Sequence, residues 1–257
     1  MSESAASLSQ PPPGPSLPRR LWPWLAAAAT GALLIFSFPP WNQGWLCWIA
    51  LTPLISAILA TPAGRKRRGL RLAALGYVAL AADIYGEGVR PKDVKEAAAQ
   101  ATIYKGDRAL YRRRIRAGLT TLLAQAGVDP NRIAVIGFCF GGTGALEAAR
   151  AGMPVKGVVS FHGGLDFPPD PAGLTIAAKV LVCHGADDPN VPPKDVAAFQ
   201  DEMRQTKADY TFIAYGGAVH AFTQKEAGND NSKGVAYNEA AATRSWAHMK
   251  DFFAEIF

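Results

Sequence analysis

Residues able to do covalent chemistry stand beside glycines at three points of this chain. The first is Cys139, inside Gly137-Phe138-Cys139-Phe140-Gly141-Gly142. The apolar stretch Arg132-Ile133-Ala134-Val135-Ile136 precedes it, and the small-residue stretch Thr143-Gly144-Ala145-Leu146-Glu147-Ala148-Ala149 follows. That order is strand, tight turn, helix, with a thiol at the apex. The flanking glycines permit the cramped backbone of a nucleophile elbow. A sulfur at such an apex faces a crevice beside the N–H groups of a helix N-terminus, a setting that suits a nucleophile more than a packing cysteine.

The partners of a triad follow in chain order. Val180-Leu181-Val182-Cys183-His184-Gly185 reads as a buried strand, with Ala186-Asp187-Asp188-Pro189 as the loop at its end. Tyr210-Thr211-Phe212-Ile213-Ala214-Tyr215 reads as the next strand, and Gly216-Gly217-Ala218-Val219-His220 follows it. Nucleophile, acid, histidine is the order of an α/β-hydrolase, and each group sits just past the carboxyl end of a strand. His220 would take the thiol proton and Asp188 would orient the imidazole. His162 and His184 end strands near the same crevice. Cys183, in mid-strand, reads as core.

Five strands are expected, at 77–83, 132–138, 155–161, 179–184 and 210–215, each short, apolar and bounded by Gly, Pro or polar residues. Helical patterns alternate with them, which predicts an α/β chain with a mainly parallel sheet. Ile115, Leu119, Leu122, Leu123 and Ala126 give the helix before the elbow one apolar face. Residues 193–206 and 236–256 read as two further amphipathic helices. The arginines at 112–116 read as a solvated helix surface.

Residues 69–257 resemble the dienelactone hydrolases, a cysteine-dependent branch of the α/β-hydrolases. The resemblance rests on Tyr77-Val78-Ala79-Leu80-Ala81-Ala82-Asp83-Ile84-Tyr85-Gly86, the Cys139 elbow, Ser160-Phe161-His162-Gly163-Gly164, His184-Gly185-Ala186-Asp187-Asp188 and His220-Ala221-Phe222. It implies an α/β-hydrolase fold and hydrolysis of a small-molecule ester or lactone through a thioester, with no cofactor. It also implies the Phe140 N–H as an oxyanion donor and Tyr85 and His162 as substrate contacts. Asp188 is preferred to Asp187 because Gly185, Asp188 and Val191 fit the family's Gly-x-x-Asp-x-x-Val pattern. The chain departs from the family by lacking the strands before 77–83. One of these would lie between 77–83 and the strand leading to Cys139, and its loop would carry the second oxyanion donor. Strand 77–83 is therefore expected to close up beside 132–138. The alternative function is a catalytically impaired fusion with an intact triad but an incomplete site.

The amino-terminal part reads differently. Residues 1–20 form a Ser- and Pro-rich tail ending in Arg19-Arg20. From Leu21 to Gly64 no residue is charged, enough for two spans of ~20 residues. The spans 21–38 and 45–60, with Trp22, Trp24, Trp41, Trp45 and Trp48 near their ends, predict a transmembrane helical hairpin with the bilayer as partner. Basic flanks on both sides put the hydrolase part in the cytoplasm, at the inner membrane. Export through a signal peptide is the competing reading. Phe36-Ser37-Phe38-Pro39-Pro40-Trp41-Asn42, Trp45 and Leu51-Thr52-Pro53-Leu54 resemble the first two membrane helices of apolipoprotein N-acyltransferase. A fragment of such an enzyme is the weaker functional alternative. The net charge of +6 accompanies no nucleic-acid motif. Three cysteines and four histidines show no metal-ligand spacing, so no metal is expected.

Overall fold

The computed structural model describes residues 72–73, 75–167 and 175–257. The predicted hairpin at 21–64 and the tail at 1–20 lie outside them. No helix among the described residues is long and apolar enough to cross a membrane. The chain divides into two units, 1–79 and 80–257. The described part of the first is a helical turn at Leu72 and Ala73 and a turn at Leu75 and Gly76.

The second unit carries four parallel strands in the order β1-β2-β3-β4: β1 Ala134–Phe138, β2 Gly157–Phe161, β3 Lys179–Gly185 and β4 Tyr210–Tyr215. All five residues of β2 are buried, as an inner parallel strand requires. Among the described residues, five α-helices accompany the sheet: α1 Val94–Gly106, α2 Arg108–Leu123, α3 Phe140–Arg150, α4 Pro193–Gln205 and α5 Glu239–Ile256. Local chemistry explains their ends. The Asp93 and Asp107 carboxylates accept the Glu96 and Leu110 amides at 2.8 Å, and Asn238 accepts that of Ala241 at 3.0 Å. Pro193 opens α4, where a missing N–H is harmless.

Side chains alternate across the sheet. Val158, Val180 and Val182 join the core shared with α2, α3 and α4, where Tyr111, Ile115, Leu119, Leu146, Phe199 and Met203 are buried. Tyr111, Ile115 and Leu119 recur every four residues, one face of α2 laid against α3. On the other face α5 covers β2 and β3, with Phe252 and Ile256 over Gly157.

The expected strand at 77–83 does not form. Those residues are irregular, and among the described residues nothing pairs with the outer edge of β1. Val78 and Leu80 remain exposed, at 55% and 42%. The apolar anchors of this segment are further along: Ile84 and Tyr85 pack on the helical core, and Ala82 abuts Gly118 of α2. With two consecutive alanines supplying little strand propensity, helix contact wins over edge pairing. Of the arginines at 112–116, Arg113, Arg114 and Arg116 are exposed as expected, and Arg112 is not. Arg112 Nε binds Glu147 Oε2 at 2.7 Å, and the Glu147 side chain is fully buried.

Candidate active site

Cys139 sits between β1 and α3 with φ 51° and ψ −119°. A β-carbon at Gly137 would lie 1.7 Å from the Gly141 carbonyl oxygen, and one at Gly142 would meet Gly163 Cα at 2.8 Å. The glycines around the cysteine are thus sterically required: the first turn of α3 folds back onto β1 and abuts the end of β2. Four non-glycine residues among those described have positive φ, and three surround the site: Cys139, His162 (40°) and Ala221 (58°). Each such residue stores ~1–3 kcal/mol, which its surroundings must hold.

His220 is fixed from two directions. Its Nδ1 lies 2.8 Å from Asp188 Oδ2, and its backbone bridges to Val235 through bonds with Gly234 and Ala236. The Asp188 side chain is fully buried, and its Oδ1 accepts the Asn190 amide at 2.8 Å. Neighbouring Asp187 is engaged elsewhere, accepting the Gly217 amide at 3.0 Å. Burial would lower the pKa of His220, but the hydrogen bond with Asp188 and the nearby Cys139 sulfur outweigh it and push it up to about 9. The folded chain therefore holds this proton more tightly than the unfolded chain, whose imidazole titrates near 6.5. Its stabilising contribution is full below about pH 6.5 and is lost as pH rises towards 9. Unfolding free energy should fall by about 2–3 kcal/mol across that window. Urea titrations at a series of pH values test this. An equal slope in His220→Gln would assign the dependence to other groups.

The sulfur has further neighbours, of which the sequence announced only His162, as a substrate contact. His162 is buried, with Nδ1 3.4 Å from Cys139 Sγ and 3.2 Å from the Cys139 amide that donates to it. Its Nε2 lies 2.8 Å from Thr223 Oγ1. Gln224 donates from Nε2 to Sγ at 3.3 Å. His162 thus lies against the Cys139 sulfur, flanked by His220 and Phe222 at 5.6 and 4.9 Å between ring centroids. His184 is also buried, which lowers its pKa against the pull of Asp188. Cys183 is fully buried in β3, and desolvation pushes its thiol up to about 12.

Phe140, the first residue of α3, is held by aromatic rings. Tyr111 stacks on it at 4.5 Å and 4°, and Tyr85 and Tyr104 approach at 5.6 and 6.2 Å. Tyr111 donates its hydroxyl to the Phe140 carbonyl at 2.7 Å. Burial pushes this phenol up, so it stays a donor at any pH the fold tolerates. Tyr85 donates to the Ala97 carbonyl at 3.5 Å, so its ring rather than its hydroxyl is turned to Phe140. In Tyr111→Phe the stacking survives and the carbonyl loses a buried partner. A loss of about 1 kcal/mol is expected in chemical denaturation. An unchanged midpoint would show that this bond adds nothing.

A parallel sheet whose first described strand ends in a strained elbow, with acid and histidine loops at the ends of β3 and β4, has an α/β-hydrolase-like fold. Residues 63–257 match the dienelactone hydrolase family, and the chain belongs to it. A dienelactone hydrolase-like promiscuous phosphotriesterase from metagenomic libraries is 44% identical, with a TM-score of 0.69 over 75% of this chain and 80% of that one. An uncharacterized protein of Caenorhabditis elegans is 36% identical over 56% of this chain and 92% of its own length. A Bradyrhizobium protein named "Probable 2-oxo-3-(5-oxofuran-2-ylidene)propanoate lactonase" is 30% identical over 70% of this chain and 73% of its own. The family match begins at residue 63, so it leaves the acyltransferase resemblance of the preceding segment without support.

Proposed function

We propose that this chain hydrolyses a carboxylic ester or lactone through a Cys139–His220–Asp188 triad. The observation that carries the reading is a thiol on a strained elbow, within 4.8 Å of a ring nitrogen of a histidine whose Nδ1 is 2.8 Å from a buried carboxylate. With the proton already held on His220, Sγ attacks the carbonyl carbon, and the oxyanion forms at the Phe140 N–H. Collapse expels the alkoxide, which leaves as the alcohol with the proton from His220. Water, deprotonated by the same imidazole, then cleaves the thioester. The acid is released and the thiol is restored. Asp188 holds the ring in the required tautomer.

The rings of Tyr85 and Phe140 offer an apolar wall to the acyl or lactone part of the substrate. The names carried by two relatives put an unsaturated lactone and a phosphotriester on the panel to be tried. The uncharged run from Leu21 to Gly64 is proposed as an inner-membrane anchor, with the triad on the cytoplasmic side. Carbonate extraction of membranes tests it, since an anchored chain stays in the pellet.

The thioester is the most direct test of the mechanism. Acid-quenched protein that is turning over a p-nitrophenyl ester should carry one acyl group on the peptide containing Cys139. Acyl transfer to Cys183, or to no cysteine in protein that turns over, would sink the proposal.

A further inference from the structure

Sequence spacing gave no metal-ligand pattern, because Cys139, His162 and His220 are far apart in the chain. The fold gathers one ligand atom from each within 4.8 Å of the others. Zinc bonds of about 2.3 Å to sulfur and 2.0 Å to nitrogen put neighbouring ligand atoms of a tetrahedron about 3.3–3.6 Å apart. Sγ of Cys139 and Nδ1 of His162 already stand at 3.4 Å. Small side-chain rotations would bring in the third atom.

The surroundings of the two rings are those of metal-ligating histidines. Such a ring presents one nitrogen to the ion while its other nitrogen is fixed by a carboxylate, hydroxyl or carbonyl. His220 has Nδ1 on Asp188, which leaves Nε2 as its ligand atom. His162 has Nε2 on Thr223 Oγ1, which leaves Nδ1. The Cys139 amide now shares its hydrogen between His162 Nδ1 at 3.2 Å and the Phe161 carbonyl at 3.1 Å. It would keep the carbonyl when Nδ1 turned to a metal. Cys139 and His220 are both partly exposed, so an ion can enter.

We propose that Cys139, His162 and His220 form a site for a soft divalent cation of the zinc type, with the fourth position open. The thiol releases its proton to solvent as the metal–sulfur bond forms. Bound metal occupies the sulfur and the imidazole that the hydrolase mechanism uses, so it blocks turnover, and a chelator restores it. The site stands on geometry alone and does not depend on the chain being an esterase.

Cadmium reports the site without any turnover, through the near-ultraviolet charge-transfer band of a cadmium–thiolate bond. Titration of the full chain with Cd²⁺ should give this band with one equivalent, and Zn²⁺ should displace it. Cys139→Ser should abolish the band. His162→Gln should weaken Cd²⁺ binding, and Thr223→Val, which loosens the same ring from outside, should weaken it by about 10–100-fold. A band that survives in Cys139→Ser would overturn the proposal. So would no band in folded wild-type protein, or an affinity indifferent to both His162→Gln and Thr223→Val. Binding without ester turnover would leave this site standing and defeat only the hydrolase reading.

Discussion

Cys139→Ala is expected to lower kcat for an activated ester by about 10⁴–10⁶-fold, the scale on which single removals from a nucleophilic triad act. The reason is local. Sγ stands at the apex of the elbow that the flanking glycines shape. Alanine keeps the backbone and removes only that atom, so stability should hardly change. The strain of the positive φ of 51° comes from Cβ, which alanine keeps, so that cost is unchanged. Cys139→Ser restores a nucleophile of the same reach but higher pKa. It should therefore recover part of the rate if the imidazole works as a general base. Steady-state kinetics on folded protein decide the matter. Wild-type and Cys139→Ala rates that agree would mean the elbow is a relic. The edge of β1, which pairs with nothing among the described residues and where the family resemblance implies a second oxyanion donor, would then be the place to look for the reason.

The residues of this site were legible in the sequence to the extent that each stands beside a strand end punctuated by glycine. The strands expected around residues 132–138, 155–161, 179–184 and 210–215 form within two residues of those limits. Each is flanked by a helix that must pack on it. Residues 77–83 carry the same apolar pattern but form no strand, because a strand exists only through its partner and Ile84 and Tyr85 find a better burial site against the helices. His162, Thr223 and Gln224 illustrate a different blind spot. Their contacts join the loop after β2 to the loop after β4, and no short-range pattern encodes which loops meet. Single charges on helices are the hardest to read. Glu147 and Arg150 look like the polar side of α3, yet α3 is buried on nearly every side.

Those charges carry the largest expected stability effect. Arg150 and Glu202 are each about 1% exposed and bind side by side, Nε to Oε1 and Nη2 to Oε2, both at 2.7 Å. Arg150 also reaches Glu147 at 3.0 Å, and Glu147 accepts Arg108 and Arg112 from α2. Burial would lower the pKa of Arg150, but its bonds to the two glutamates raise it overall. The network ties α2, α3 and α4 together. Arg150 further donates to the carbonyls of Leu165 and Asp166 at 3.2 Å, which pins the loop that carries His162. In Arg150→Met, Glu202 is left buried without its bidentate partner and two loop carbonyls lose their donors. A loss of about 3–5 kcal/mol is expected, large against the ~5–15 kcal/mol of a typical domain. Because Glu202→Leu removes the stranded charge, the double variant Arg150→Met/Glu202→Leu should regain much of that loss. Urea midpoints of the single and double variants form the cycle that isolates the pair. A double variant as unstable as the sum of the singles would mean the ion pair is not coupled. The loop bonds of Arg150 would then account for the loss.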